Sequence, residues 1–252
     1  MNTLARRNLV TYIALCIVLS LRMGGPAFAD VLVDANLVGY WQFEGDVNDN
    51  SGYENHGTLY GDASVSKGVL QLDASYDYVN VGDRSSLDLT SRGTITAWVY
   101  VDGAPATWAI VAMKHNFANF DGYGLYFDTT KLRGITASSS SKSTSYSTTT
   151  ISGGFLRNWK FVAFTWDSSN QTLYVDGIQE DQDNSVTCTP SGYPFRIGYD
   201  YAVSLDGKID DVRVYNIALS DWEIRKLYNY SNKSYSQLSQ FLTSVRIGNM
   251  AV

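Results

Sequence analysis

The sequence predicts an all-β fold, a two-sheet antiparallel jelly-roll sandwich with one short helix near its C-terminus. Short apolar runs recur through the body of the chain, separated by Gly, Asn and Asp, as strands divided by turns do. Several of these runs alternate apolar and polar residues with period two, the mark of a half-buried strand. Helical periodicity is convincing only from Asp221 to Tyr228. Many short strands with a single helix require two sheets packed face to face.

Asn36 to Phe43 reads as the first strand, and Asp46 to Gly61 as a loop rich in Asn, Asp and Gly. Val69 to Leu72 and Asp77 to Val81 are short strands. In Thr94 to Val101, Ile95, Ala97, Val99 and Val101 face one way, and Trp98 and Tyr100 the other. Trp108 to Lys114, Gly124 to Phe127 and Leu132 to Ala137 follow. Ser138 to Thr150 is rich in Ser and Thr. It reads as an exposed strand or loop inside the sandwich rather than a linker, because strands continue on both sides and Thr and Tyr suit strands. Phe161 to Trp166 is strongly apolar, a strand buried on both faces. Thr172 to Gln179 carries Asp176-Gly177 between two apolar runs, a hairpin signal. The acidic run Glu180 to Asp183 behind it reads as a solvated loop. Phe195 to Gly198 and Ile209 to Tyr215 complete the strands.

Strict alternation in the last strand puts Asp210, Val212 and Val214 on one face and Ile209, Asp211, Arg213 and Tyr215 on the other. An acid between two valines must find a cation, hydrogen-bond donors or water. Ser220 and Glu223 then have capping-box spacing, and Leu219 and Ile224 the spacing of a hydrophobic staple. Ile224, Leu227 and Tyr228 give the helix one apolar face.

Residues 1–29 read as an export signal: Arg6 and Arg7, an apolar run from Leu9 to Leu21, and Ala27-Phe28-Ala29 as the cleavage site. The apolar run is short for a membrane span, so membrane insertion after cleavage is not expected. The expected location is secreted or cell-envelope. Residues 30–230 form the expected domain, and 231–252 a tail of unknown role. Residues 1–29 hold three arginines and no acid, so their removal takes the formal charge from −6 to −9. Such a surface disfavours nucleic acid and anionic membrane. Cys188 alone remains beyond the signal, which leaves no intrachain disulfide.

Several pieces carry a resemblance. They are YWQFEG with NDNSGYENHGTL, LQLDASYDYVNVG with SLDL, TITAWVYV with IVAMKH, NWKFVAFTWD with TLYVDGIQ, and RIG before GKIDDVRVYNIALSDWEIRKLY. Taken in order over Val38 to Tyr228, they resemble the laminin G-like branch of the concanavalin A-type lectin/glucanase superfamily, close to the pentraxins in fold. The resemblance implies two antiparallel sheets with a convex and a concave side. It implies an exported module that binds carbohydrate, another surface ligand or protein, often with calcium. Many members carry a disulfide near the late strands, for which Cys188 has no partner here.

Asp46, Asn48, Asp49, Asn50, Ser51 and Asn55 crowd one loop. By composition this is an Asx-rich turn whose side chains bond their own backbone. The resemblance instead implies a structural calcium between this loop and the terminal strand, with Asp49, Asn55 and Asp211 as ligands and Asp210 next. Calcium takes such oxygen donors. With only His56 and His115 and one cysteine beyond the signal, zinc is not expected. No E-x-D-x-x-E strand of the superfamily's glycosidases occurs. Lys114, His115, Tyr123 and Tyr126 are the nearest approach to a lyase set.

The expected function is therefore non-catalytic recognition of a glycan or cell-surface ligand, with a glycanase or lyase, or a protein-binding module, as the alternatives. Loop aromatics are the expected ligand contacts: Trp108, Phe117, Phe120, Tyr123, Tyr193, Tyr199 and Tyr201. The aromatics of the strands and of the helix, including Trp41, Trp98, Trp166 and Trp222, are assigned to packing.

Overall fold

In the computed structural model, residues 35–105, 108–116, 121–139, 141–185, 187–189, 192–200 and 203–231 are described. One sheet holds β1 (Leu37–Trp41), β3 (Ser64–Ser66), β4 (Val69–Asp73), β6 (Gly93–Val101), β11 (Trp159–Trp166), β12 (Asn170–Val175), β13 (Ile178–Asn184) and β17 (Asp206–Tyr215). Its order is β13-β12-β11-β6-β17-β4-β3, and β1 also pairs with β17. The other sheet holds β2 (Thr58–Tyr60), β5 (Tyr78–Gly82), β7 (Ala109–Asn116), β8 (Asp121–Phe127), β9 (Lys131–Ser138), β10 (Ser141–Thr150) and β14 (Phe195–Ile197). Its order is β10-β9-β8-β7-β14-β5-β2. β15 (Tyr199–Asp200) and β16 (Val203–Ser204) form a separate ribbon. Pairing is antiparallel within each of these sheets.

The core lies between the two large sheets. Ile95, Ala97, Val99 and Val101 of β6, with Val162, Phe164 and Trp166 of β11, meet Val111, Leu125, Phe127 and Leu132 of the opposite sheet. Trp41 stacks on Phe195 across the gap, at 5.4 Å between ring centroids. Buried Gln171 of β12 is hydrogen-bonded to Thr136 Oγ1 (2.7 Å) and to Ser145 Oγ (3.1 Å) of the facing strands. The expected alternation in β6 is what places Trp98 and Tyr100 on its outer side.

Three expectations about the strands change. The run Glu180 to Asp183 is not a solvated loop but part of β13. Its acids accept hydrogen bonds from the backbone of β10: Tyr146 N donates to Asp181 Oδ2 (2.7 Å) and Thr149 N to Glu180 Oε2 (2.9 Å). A carboxylate that satisfies a strand's N–H groups has a structural reason to sit there. Second, β2 falls inside the expected loop, and β3 and the β15–β16 ribbon were not foreseen. Each is only two or three residues long, too short to show a period.

Third, the faces of β17 are not those of strict alternation. Asp210 pairs with Trp98 and Arg213 with Thr96, with a register shift between them. This is a β-bulge, one extra residue against a regular partner, and Asp211 sits in it at φ 54°. The bulge returns Val212 and Val214 to the core with Ile209. Asp210 goes with Arg213 to the outer side.

The helix α1 spans residues 221–231. Ser220 caps it as expected: Ser220 N donates to Glu223 Oε2 (2.7 Å), and Glu223 N to Ser220 Oγ (3.4 Å). Leu219 and Ile224 are buried on either side of the cap. Tyr228 then packs on Trp98 and Phe161, each at 5.9 Å between centroids, and Tyr174 Oη donates to Asp221 Oδ1 at 2.6 Å. Trp222 departs from its packing assignment: it is 64% exposed, with Lys226 Nζ 4.8 Å from its ring centroid.

Loss of an N-cap hydroxyl costs about 1 kcal/mol. Ser220→Ala is expected to lower Tm by about 2–4 °C, checked by calorimetry. An unchanged Tm would mean that the docked apolar face of α1 holds it without the cap.

Candidate functional site

The Asn/Asp loop is saturated by the protein itself. Asp49 Oδ1 accepts from Tyr40 N (2.8 Å) and Ser51 N (2.9 Å), and Oδ2 from Ser51 Oγ (2.8 Å) and Asn55 N (2.9 Å). Asn55 donates to Val38 O (2.7 Å) and accepts from Ser86 Oγ (3.0 Å). Asp211 Oδ1 accepts from Tyr40 Oη (2.8 Å) and Arg213 Nη2 (3.2 Å). Tyr40 therefore touches both acids, one through its backbone and the other through its phenol.

Asp210 is buried and accepts from Asp211 N (2.8 Å). Burial, reinforced by the charge of Asp211, pushes its carboxyl up to about 8. Burial opposes the charge of Arg213, but Asp211 and Tyr40 outweigh it and hold the guanidinium above its ordinary value. Among the described residues no group of three or more His, Cys, Asp or Glu is arranged to hold a metal. Protein donors meet both oxygens of Asp49, the amide oxygen of Asn55 and Oδ1 of Asp210 and Asp211. The loop is the Asx-rich turn that its composition describes.

The residues of the lyase-like set are used in packing. Lys114 Nζ is buried against Asp83 (2.5 Å), Asp88 (3.2 Å) and Tyr193 O (2.9 Å). His115 is buried, and burial lowers it to about 4. Tyr123, also expected as a ligand contact, points into the core: it is 1% exposed, and its hydroxyl donates to Leu87 O at 2.8 Å. The period-two run Tyr123, Leu125, Phe127 is the sequence signal for this, obscured by Gly122 and Gly124 on either side of Tyr123. Phe117, Phe120 and Tyr201 lie outside the described residues. Tyr199 stands in β15, paired with Ser204.

Trp108 does reach a surface. On the outer face of the seven-stranded sheet, register sets Tyr126 opposite Arg133 and Arg133 opposite Tyr146, one lateral row over β8, β9 and β10. Trp108 stacks on Tyr126 at 4.7 Å and 19°. Arg133 lies over the Tyr146 ring at 4.4 Å, and its Nε donates to Asp128 Oδ2 at 2.6 Å. Tyr146 is 42% exposed. Tyr126 belongs with Ile110, its partner on β7, and with Met113, Ile135 and Ala137 to a second, buried apolar cluster, against which Trp108 packs. At the other margin Tyr60 stacks on Tyr78 (4.8 Å), with Arg196 5.4 Å from the Tyr78 centroid. Sequence reasoning missed Tyr146, because only the β9–β10 register brings it to Arg133. Tyr126 itself is buried, so exposed Tyr146 and half-buried Trp108, beside a fixed guanidinium, offer the apolar surface, edged with hydrogen-bond donors. That arrangement can hold a ligand, and it contains no nucleophile–base pair.

A cleft on the outer face of the eight-stranded sheet is lined by Ser66, Lys67, Val69, Gln71, Trp159 and Lys208, with a volume of about 390 Å³. None of these residues was a predicted ligand contact. Among the described residues no helix is long and apolar enough to cross a membrane.

The model of a laminin G family in the concanavalin A-like lectin/glucanases superfamily matches residues 73–225. No curated protein matches the chain. Among solved structures, the binding domain of Paraclostridial Mosquitocidal Protein 1 is similar at TM-score 0.69 and 15% identity, over 79% of this chain and 53% of that one. The receptor binding domain of the botulinum neurotoxin C/D mosaic serotype is similar at TM-score 0.65 and 16% identity, over 78% and 52%. This chain thus spans about half the length of these toxin domains. Domain 4 of AbnA, a GH43 extracellular arabinanase from Geobacillus stearothermophilus in complex with arabinotriose, is similar at TM-score 0.62 and 17% identity, over 77% and 98%. These likenesses share the fold.

Asp128 braces the row and carries a pH signature. Burial acts to raise it, but the amides of Thr130 and Lys131, the Arg133 fork and the Thr130 hydroxyl hold it below its ordinary value. A depressed carboxylate stabilises the fold above its unfolded pKa of about 3.9, and that stabilisation is lost as pH falls through the folded value. The Tm deficit of Asp128→Asn is expected to be full near neutral pH and to shrink below about pH 4. A deficit independent of pH would contradict a role for the charge.

Proposed function

The chain belongs to the concanavalin A-like lectin/glucanases superfamily, and on that premise we propose that it is an exported, non-catalytic module that binds glycans. The observation that carries this reading is the lateral row on the outer face of the seven-stranded sheet. There exposed Tyr146 and half-buried Trp108, which stacks on buried Tyr126, flank an Arg133 fixed by Asp128. A sugar ring has an apolar face, which aromatic side chains bury, and a hydroxyl rim, which guanidinium and carboxylate groups hydrogen-bond. The arabinotriose held by the domain of AbnA and the receptor-binding role of the neurotoxin domain support the same class of activity. The structural use of Lys114 and Tyr123 counts against the lyase alternative.

The module is exported by residues 1–29 in this reading. Calcium, which the family resemblance implied, is not required by it. The four residues expected to hold the ion are engaged by protein donors, so Tm is expected to be the same with added calcium as with a chelator. A rise in Tm with calcium would restore the ion to the fold.

A glycan array read with calcium and with chelator tests the function, followed by calorimetric titration of any glycan retained. Trp108→Ala and Tyr146→Ala are each expected to weaken that glycan at least about tenfold, near 1.4 kcal/mol. Absence of binding in both conditions, or release of reducing ends or new unsaturation from a polysaccharide panel, would overturn the proposal.

A further inference from the structure

The cleft on the eight-stranded sheet is built by register as regularly as the row on the other sheet. Trp159 stands opposite Tyr100, Tyr100 opposite Lys208, and Lys208 opposite Gln71. These four side chains share one lateral line across β11, β6, β17 and β4. At about 4.8 Å per strand the line runs about 14 Å. The neighbouring line, Phe161 opposite Trp98, is covered by Tyr228 of α1. The cleft is the line that the helix does not cover.

Its lining is cationic. Two ammonium groups, one amide and one hydroxyl line it, and no carboxylate does, on a chain of formal charge −6. Lys208 Nζ sits 4.2 Å from the Tyr100 ring centroid and 2.5 Å from Asp102 Oδ2. That one exposed acid meets one of the two lysines. Lys67 projects from a two-residue hairpin turn between β3 and β4, in which it and Gly68 both have positive φ, 55° and 75°. Such a turn matches the strand twist, so the backbone fixes where this lysine leaves the hairpin, at the rim of the cleft. The half-buried Trp159, tilted against Tyr100 at 5.5 Å, supplies the apolar wall.

We infer that this cleft is a second binding site, one that takes a carboxylate-bearing sugar of the uronic acid class. The carboxylate answers the two ammonium groups, the ring face lies on Trp159, and the ring hydroxyls reach Gln71 and Ser66. The surrounding acidic surface sets a limit. It admits a short or sparsely charged oligosaccharide and repels a densely charged polyanion. The inference is independent of the glycan site on the other sheet.

The test is calorimetric titration of the whole chain with a uronic acid oligosaccharide and with its carboxyl-reduced neutral counterpart, at two salt concentrations. The uronide is expected to bind with an affinity that falls as salt rises, and the neutral sugar at least about fivefold more weakly. Lys67→Asn, which keeps a residue tolerant of positive φ, and Lys208→Gln are each expected to weaken the uronide about fivefold, and together to abolish binding. An unchanged Tm in both variants shows that the cleft, not the fold, was altered. Equal binding of the neutral sugar, no binding of the uronide, or uronide binding that is lost in Trp108→Ala but kept in the double lysine variant would each overturn the inference.

Discussion

One extra residue in β17 sets the geometry of the eight-stranded sheet. β17 runs beside β6 along its length, while its other edge serves β4 with Asp206 to Ile209 and β1 with Val212 to Tyr215. The bulge at Asp210–Asp211 stands where one partner gives way to the other. Without it, Val212 and Val214 would turn outward and Arg213 inward, because a one-residue slip inverts every side chain that follows. The cost is an acid in left-handed backbone at Asp211, a conformation Asp tolerates better than most residues. Asp211 is held there by Tyr40 and Arg213. The same network ties β1 to β17 and leads, through the backbone of Tyr40, to Asp49 and the N-terminal loop. A loop far from β17 in sequence thus depends on the same tyrosine.

What could be read from the sequence divides by the range of the signal. The Asp176-Gly177 turn has positive φ at both positions. The Ser220–Glu223 box is closed by hydrogen bonds, and β6 faces as its alternation says. Each is decided within a few residues. The bulge is decided by two strands that meet β17 from distant parts of the chain, and nothing local marks it. Tyr123 was misplaced for a different reason. Its neighbours Gly122 and Gly124 are each crowded where a side chain would stand, by Lys114 O and by Met113 respectively. In the sequence those glycines resemble a loop; in the sheet they are close contacts. Tyr146 was overlooked because a Ser- and Thr-rich strand carries its partner only across the register to Arg133.

The candidate sites follow the same division. Residues chosen for their type near turns, such as Asp49, Asn55 and Tyr123, are consumed by the fold: four donors surround one carboxylate, and a core hydroxyl meets a carbonyl. A polar side chain close to many backbone donors satisfies them before any ligand does. The side chains left with open surface in the two lateral lines lie in the middle of strands, where composition gives no hint of a site. Antiparallel register lines them up laterally, as in Arg133–Tyr146 and Tyr100–Lys208–Gln71.

The cover over each sheet decides which lateral lines remain open. α1 is anchored by its cap and by Tyr174, and Tyr228 seals the Trp98 line. The line one step along, carrying Tyr100 and Lys208, lies beyond that ring. On the other sheet the centre is packed under Trp108 and its neighbours, and the exposed rings stand toward the margins, at Tyr146 and at Tyr60. Each open line pairs an aromatic surface with a fixed cation: Arg133 against Tyr146, and Lys208 against Tyr100. A cation over a ring is favoured in its own right. That contact orders a long side chain before any ligand arrives and lowers the entropy lost on binding. On a chain with a net negative charge, cations held in this way are the positions at which an acceptor-rich ligand meets least repulsion.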